Sequence, residues 1–401
     1  MDKITTIGGG NGQSNLLDAL YKHTDSIEIS SIVSMSDDGR TTGELMQAFS
    51  EHLGIYLPPP GDLRRCLFAL SGSEYRDYFS LVFEHCFLYE GNMDNFSIQQ
   101  LFTQVNKEIL LIGKAGKFQS DISDFVEKND GQLHVHLEHK NSEILNFRLP
   151  LHIPLKGHKF GNILMANLYY NFEKDYKKML DFMHKLLEVK GNIIPVTTTQ
   201  AKIKAILGNG DIIESQDRIS NVADYTSGIA GLELCECSKF AAQHLGVHDA
   251  IIGAKYIVVG PGDLFTSIIS NFIIGGVKDS LLQSNAKIIY IGNSTNKGGE
   301  TTGLTQLDFI NKVERYLGKT IDYFILNNKK PILSDQEEKL FKKDISIKGG
   351  DFLFLSEGEK RELERKKIQI IEADLLDNHS LYKHNKQKIA NIIMYIIQSE
   401  K

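Results

Sequence analysis

The chain is short of cysteine, of basic excess and of long apolar runs, and each shortage removes a class of protein. Four cysteines among 401 residues (Cys66, Cys86, Cys235, Cys237) are too few and too irregularly spaced for a disulfide framework or a zinc site. Cys235 and Cys237, two apart on one strand face, read as free thiols. A formal net charge of -6 argues against a general nucleic-acid binder, which carries a basic excess to meet phosphates. The most apolar stretches, such as Ile392-Ile393-Met394-Tyr395-Ile396-Ile397, fall far short of the roughly 20 residues of a membrane-spanning helix. No charged-then-apolar leader precedes the first motif, so the cytoplasm is the expected compartment and no membrane partner is expected. There is no internal repeat and no low-complexity tract. With 41% hydrophobic and 24% charged residues, the composition is that of an ordinary globular protein.

What is present reads as alternating strands and helices. Ile4 to Ile7 is a short β-branched run, Ser14 is placed to cap a helix carrying Leu16, Leu17 and Leu20, and Ile27 to Met35 gives a second strand. This is the opening of a parallel, doubly wound α/β sheet. A long connection follows to Pro58-Pro59-Pro60-Gly61, with Asp62 placed to cap the next helix through Leu70. Residues 73 to 90 look helical. Gln132 to Glu138 alternates strictly and Ile144 to Leu149 is apolar enough to pair with it as a hairpin. Two helical stretches run from Phe160 to about Leu187. A small β region covers 193 to 213, with Gly208-Asn209-Gly210 as its turn. The sheet pattern then returns: strand 256–259, helix through about Leu282, strand 287–291, helix 305–317, strand 321–326, and a terminal helix near 384 to 398.

Four loops carry polar chemistry. Gly8-Gly9-Gly10-Asn11-Gly12 lies between strand and helix, where backbone N–H groups and the helix N-terminus face an anion. A tight turn without ligand is the bland alternative, and a nicotinamide dinucleotide site is the natural competitor. Against the latter, Asp37-Asp38-Gly39-Arg40-Thr41-Thr42-Gly43 offers two adjacent carboxylates where a ribose needs one, so neither NAD nor FAD is expected. Asp37 and Asp38 suit a divalent cation or the orientation of a hydroxyl nucleophile; an Asx-turn explains one of them equally well. Gly260-Pro261-Gly262-Asp263-Leu264-Phe265-Thr266-Ser267 is a second phosphate-suited loop, with Asp263 placed as an N-cap and Thr266 and Ser267 adding hydroxyls. His158, Lys159 and Asn162 sit in Gly157-His158-Lys159-Phe160-Gly161-Asn162, and Asn293 and Thr301 in the long polar loop 292–301. His134, His136 and Glu138 share a strand face as metal ligands can, yet a hairpin with a polar outer face produces the same alternation.

These segments, taken in order, resemble the family of the 2-phospho-L-lactate transferase CofD and the bacterial gluconeogenesis factor YvcK. The matching pieces are GGGNG at 8–12, SDDGRTTGEL at 36–45, PPGDLRRCLFAL at 59–70, GHKFGN at 157–162, VVGPGDLFTSII at 258–269 and GNSTNKGGETTGLT at 292–305. The resemblance implies a Rossmann-like, mostly parallel sheet with added helices and small β excursions. It places one nucleotide-binding domain over 1–330, including an unusual segment at about 91–150, and a C-terminal extension over 331–401 packing on the same domain. In the transferase branch a phospholactyl group moves from a guanosine diphosphate donor to a deazaflavin alcohol with magnesium. In the YvcK branch, which the 59–70, 157–162 and 292–305 segments resemble more, no reaction is established; members bind UDP-sugars and influence central carbon metabolism, cell-wall synthesis and cell shape. The resemblance thus assigns Gly8 to Gly12, Arg40, His158, Lys159, Asn162, Gly260, Gly262, Thr266, Ser267, Asn293 and Thr301 to the ligand. Asp37 and Asp38 are assigned to magnesium, or to catalysis if a transfer occurs, and a homodimer is compatible with the family. The chain departs from the family pattern at Asn11 (usually a small hydroxyl residue), Arg40 (glycine), Lys159 (serine) and Asp263 (serine), which bears on which ligand is read.

Overall fold

Apolar residues on both faces of a strand require cover on both faces, and the strands predicted around Ile4, Val258 and Ile289 meet that requirement in the computed structural model. The structure describes residues 1–115, 142–221, 228–344, 350–377 and 383–400. Its strands are β1 (Asp2–Gly8), β2 (Ile27–Val33), β3 (Asn192–Pro195), β4 (Ile203–Leu207), β5 (Ile212–Glu214), β6 (Ile229–Leu234), β7 (Tyr256–Val259), β8 (Lys287–Ile291), β9 (Tyr323–Asn327) and β10 (Gln369–Ala373). Seven of them form one sheet in the order β10-β9-β8-β7-β1-β2-β3, and every pair in it is parallel. The chain builds outward from β1 to β2 and β3, then crosses to β7 and proceeds to the other edge. β1 and β7 therefore flank the topological switch point, where open α/β sheets place ligands beyond their carboxyl ends. The fold is α/β and Rossmann-like.

The chain divides into two compact units, one of residues 1–38 with 191–401, the other of residues 39–190. The first unit holds the whole sheet, because the chain leaves after β2 and returns at Gly191 directly into β3. It also holds a small antiparallel sheet ordered β5-β4-β6, with its turn at Gly208-Asn209-Gly210 closed by Gly210 N–H donating to Leu207 O at 3.0 Å. The helix Gln306–Leu317 grips β6: the Leu232 N–H donates to the Tyr316 hydroxyl at 2.7 Å, and that hydroxyl donates to Leu232 O at 3.2 Å. In the second unit all named elements are helical, at Arg40–Leu53, Gly61–Ala69, Arg76–Glu84, Ile98–Ala115, Phe160–Asn171 and Tyr176–Leu187, apart from short 3-10 turns. Edge-to-face phenylalanines fill its core, among them Phe68–Phe83 at 4.8 Å and Phe83–Phe160 at 5.4 Å between centroids.

Several local expectations are corrected. The first helix begins at Gly10, and Ser14 lies inside it with Oγ donating to Asn11 O, so the glycine loop is itself the helix start. The connection after Asp38 contains the helix Arg40–Leu53, whose first turn holds Thr41 and Thr42. Residues 192–195 belong to the main sheet through pairing with β2, leaving the small sheet to start at Ile203. Ser142–Asn146 is a 3-10 turn, and the expected partner strand 132–138, with His134, His136 and Glu138, lies outside the described residues. No helix among the described residues is long and apolar enough to cross a membrane.

Candidate functional site

At the carboxyl end of β1, Gly9 is the extended N-cap of the helix Gly10–Leu20; being glycine it brings no capping side chain of its own, and no acidic residue stands in the helix's first turn. The positive end of the helix dipole at this point favours an anion. Gly10 has φ +65°, a conformation that favours glycine. At Gly12 a Cβ would lie 2.3 Å from the Pro261 carbonyl oxygen, so the loops after β1 and β7 approach to backbone distance. Gln13, which sequence reasoning missed, pins this helix start to the sheet: its buried amide donates to Ser31 Oγ at 2.7 Å and Ile32 O at 2.9 Å.

The loop after β7 resolves its own helix start differently. The Phe265 and Thr266 N–H groups donate to Glu300 Oε1 at 3.0 and 3.3 Å, and Thr266 Oγ1 donates to the same oxygen at 3.4 Å. Glu300 is fully buried, with Lys297 Nζ 3.1 Å from its other oxygen. Asp263 does not cap the helix through its side chain; it pairs with Lys297. One ammonium thus faces two carboxylates. Burial, reinforced by Asp263 and opposed by Lys297, pushes the Glu300 carboxyl up; burial works against the Lys297 ammonium but Glu300 and Asp263 outweigh it and push that group up. Thr301 Oγ1 accepts from Lys297 N at 2.8 Å and shapes the loop. Asn293 Nδ2 donates to Gly262 O at 3.0 Å, tying the β8 loop to the β7 loop. Ser267 is half-buried, with its N–H on Asp263 O.

Asp38 Oδ1 accepts from Ser215 Oγ at 3.1 Å and from Asp217 N at 3.0 Å, so this carboxylate caps the short helix Gln216–Asn221. Asp37 beside it is half-buried. Among the described residues, no group of three or more His, Cys, Asp or Glu side chains is placed to hold a metal ion. Magnesium keeps several waters and takes one or two carboxylates together with substrate phosphates, so Asp37 and Asp38, one oxygen of the latter committed to the helix Gln216–Asn221, are the residues that would meet it here.

The remaining predicted residues lie in the 39–190 unit. Arg40 is exposed, with φ +49°, at the start of its helix. Asn162 Oδ1 accepts from Arg64 Nε at 2.9 Å, and the wholly buried Arg64 also pairs with Glu84, which Lys159 holds from its other oxygen. His158 is buried with Nε2 3.6 Å from Glu44 Oε2; burial holds its imidazole below the usual range despite Glu44.

A cavity of about 340 Å³ opens over the switch point of the first unit. Asn11 and Gly12, Pro261 and Gly262, and Asn293 to Thr295 line it, together with residues from 383 to 389. The structure thus brings Asn11, Gly12, Gly262 and Asn293 together around one space. Gly8 to Gly10, Gly260, Thr266, Ser267, Thr301, Asp37 and Asp38 stand in the same unit without lining it.

The model of the family described as 2-phospho-L-lactate transferase CofD matches residues 4–376. Among curated relatives, proteins named "Putative gluconeogenesis factor" are similar: one from Thermotoga maritima is 26% identical over 98% of both chains. Another, from Clostridium acetobutylicum, is 28% identical over 100% of this chain and 70% of its own length. A crystal structure of a member of the UPF0052 family from Bacillus halodurans shares the fold, with a TM-score of 0.71 and 22% identity over 98% of this chain and 100% of that one.

Proposed function

The chain belongs to the CofD family, and on that footing we propose that it binds a nucleoside-diphosphate ligand, a UDP-sugar in the leading reading, as a regulator of central carbon metabolism, cell-wall synthesis and cell shape. The observation that carries the reading is the cavity itself. It is built by the loops that follow β1, β7 and β8 at the switch point, beside the start of the helix Gly10–Leu20. Its size falls in the range of small-molecule sites. Within it the helix start at Asn11 and Gly12 receives the diphosphate, and Asn293 and Thr295 meet polar groups of base or sugar. The relatives' name of gluconeogenesis factor supports a regulatory role in carbon metabolism.

Calorimetry and thermal shift with UDP-glucose, UDP and GDP test it. Binding in the micromolar range is expected, and Gly12→Ala, whose added methyl group collides with Pro261, should weaken it at least tenfold while lowering the melting temperature. If no UDP- or GDP-linked compound binds the native protein, the reading is wrong.

The family description and the Asp37-Asp38 pair favour one second reading, a magnesium-dependent phospholactyl transfer. The acceptor hydroxyl would attack the phosphorus carrying the lactyl group, losing its proton, while the bond to the guanosine monophosphate leaving group breaks. Magnesium would supply charge neutralisation on the diphosphate. GMP release from a guanosine diphospholactate donor with a deazaflavin alcohol distinguishes this reading from binding alone.

A further inference from the structure

One wall of the cavity comes from a part of the chain that the family match does not reach. Lys383, His384, Lys386 and Ile389 line the cavity, whereas the family model ends at residue 376. The wall is a fixed part of the fold. His384 bridges Leu376 in antiparallel fashion, and the Asn385 N–H donates to Leu375 O at 2.7 Å. The Asn385 side chain caps the helix Lys386–Ser399 through the Lys388 N–H, and Lys386 pairs with Asp18 on the helix that starts in the glycine loop. Ile389 and Leu16 complete the wall as buried apolar neighbours of the cavity.

Two polar atoms in the residues around this space lack hydrogen-bond partners while being buried: Asn293 Oδ1, from the β8 loop, and His384 Nε2, from the C-terminal wall. Native proteins leave few such atoms, because each forfeits its hydration without compensation. Both atoms are occluded in this conformation, and a rotation of either side chain, each of which belongs to a residue lining the cavity, would present it to a ligand. Burial alone holds the His384 imidazole down to about 4, so the ring is neutral, with one donor and one acceptor nitrogen. A neutral imidazole and an amide oxygen, on two residues lining one cavity, match hydroxyl or imide groups better than they match phosphate.

We propose that the segment 383–389 is part of the ligand site and that His384, with Asn293, recognises the uncharged sugar or base end of the ligand. The proposal rests on the nucleoside-diphosphate reading above and adds which residues discriminate within it. His384 acts after a small side-chain rotation that brings Nε2 to the ligand, and Lys383, exposed at the same edge, lies beside the occupied cavity.

Calorimetry of the full chain and its His384→Ala and His384→Gln variants against UDP-glucose and inorganic pyrophosphate tests this. His384→Ala should weaken UDP-glucose binding about tenfold while leaving pyrophosphate within about twofold, and His384→Gln, which keeps a donor and an acceptor, should recover part of the loss. A merely structural role would weaken both ligands alike and give no rescue. Amine-reactive labelling of the native protein, read by mass spectrometry, needs no variant: UDP-glucose should lower modification of Lys383 several-fold. Equal UDP-glucose affinity in native protein and His384→Ala, or Lys383 labelling unchanged by bound UDP-glucose, overturns the proposal and leaves the nucleotide reading standing. Native protein that binds neither UDP nor UDP-glucose overturns both.

Discussion

Glu300 stands at a helix N-terminus as a bound anion would, its Oε1 taking the Phe265 and Thr266 amides that a phosphate-suited loop offers. The two glycine loops, alike in sequence, are therefore unlike in electrostatics: the one after β1 has no acidic residue in its helix start, and the one after β7 is already neutralised from within the protein. A pH dependence follows. Burial, with Asp263 reinforcing it, raises the Glu300 carboxyl above its ordinary value of 4.5, so between that pH and the folded value the native state holds more protons than the unfolded chain. Stability then falls as pH rises through the window, by about 1.4 kcal/mol for each unit of upward shift. Glu300→Gln has no proton to lose there. Denaturant unfolding of both proteins from pH 4.5 to 8 should show the native protein losing stability relative to Glu300→Gln as pH rises; a flat difference, or one of opposite sign, refutes the assignment. The glycines at 8–12 and 260–262 were legible as positions that leave room for a ligand, but the approach of Gly12 to the Pro261 carbonyl was not. Glu300 lay within a quoted motif, but nothing in one sequence says that its carboxylate folds back onto a helix thirty-five residues earlier. His384 carried no motif at all.

Strands and helices with strong periodicity appear where their residues predict them. β7 and β8 fall on the apolar runs 256–259 and 287–291, and the helices Phe160–Asn171 and Tyr176–Leu187 together span the predicted stretch. β10 was missed because it is an edge strand reading Gln-Ile-Ile-Glu-Ala, half-exposed and too short to alternate convincingly. The helix Arg40–Leu53 was missed because its glycine-flanked start resembles a loop, and its first residue takes a left-handed φ. Helix ends carry one further consequence. Glu359 closes the capping box of the helix Glu357–Arg365 by accepting from Ser356 N at 2.8 Å, and its other oxygen accepts from Leu307 N at 3.1 Å in the first turn of the helix Gln306–Leu317. A single carboxylate thus serves two helix starts. Glu359→Ala should cost about 1–2 kcal/mol, more than the loss of one ordinary cap. Ser356→Ala, which removes only the cap of the helix Glu357–Arg365, should cost about 1 kcal/mol. Equal losses in urea unfolding would show that the Leu307 bond contributes nothing.

On the scale of the whole molecule, the order of motifs was legible, but the division into units was not, since the motif 36–45 runs straight across the junction at residues 38 and 39. The polypeptide passes between the units twice, there and at residues 190 and 191, and each unit has its own apolar interior. Among the described residues, Arg64 is the largest charged side chain buried in the 39–190 unit, bonded to Asn162, to the Phe83 carbonyl and to Glu84. Replacing it with methionine keeps much of the volume but leaves Glu84 with Lys159 alone and Asn162 Oδ1 without its donor. Because Glu84 is about a third exposed and keeps Lys159, the cost is that of the lost hydrogen bonds and of the buried Asn162 oxygen, on the order of 1–3 kcal/mol. With separate interiors, that loss should fall on one unit: in Arg64→Met, amide hydrogen exchange should accelerate across the helices Gly61–Ala69 and Phe160–Asn171, while β1, β7 and β8 keep their protection. The expected pattern is two unfolding transitions in denaturant where the native protein's units melt closer together. Uniform acceleration through both units, the central sheet strands included, would show instead that the chain unfolds as one cooperative body and that Arg64 supports all of it.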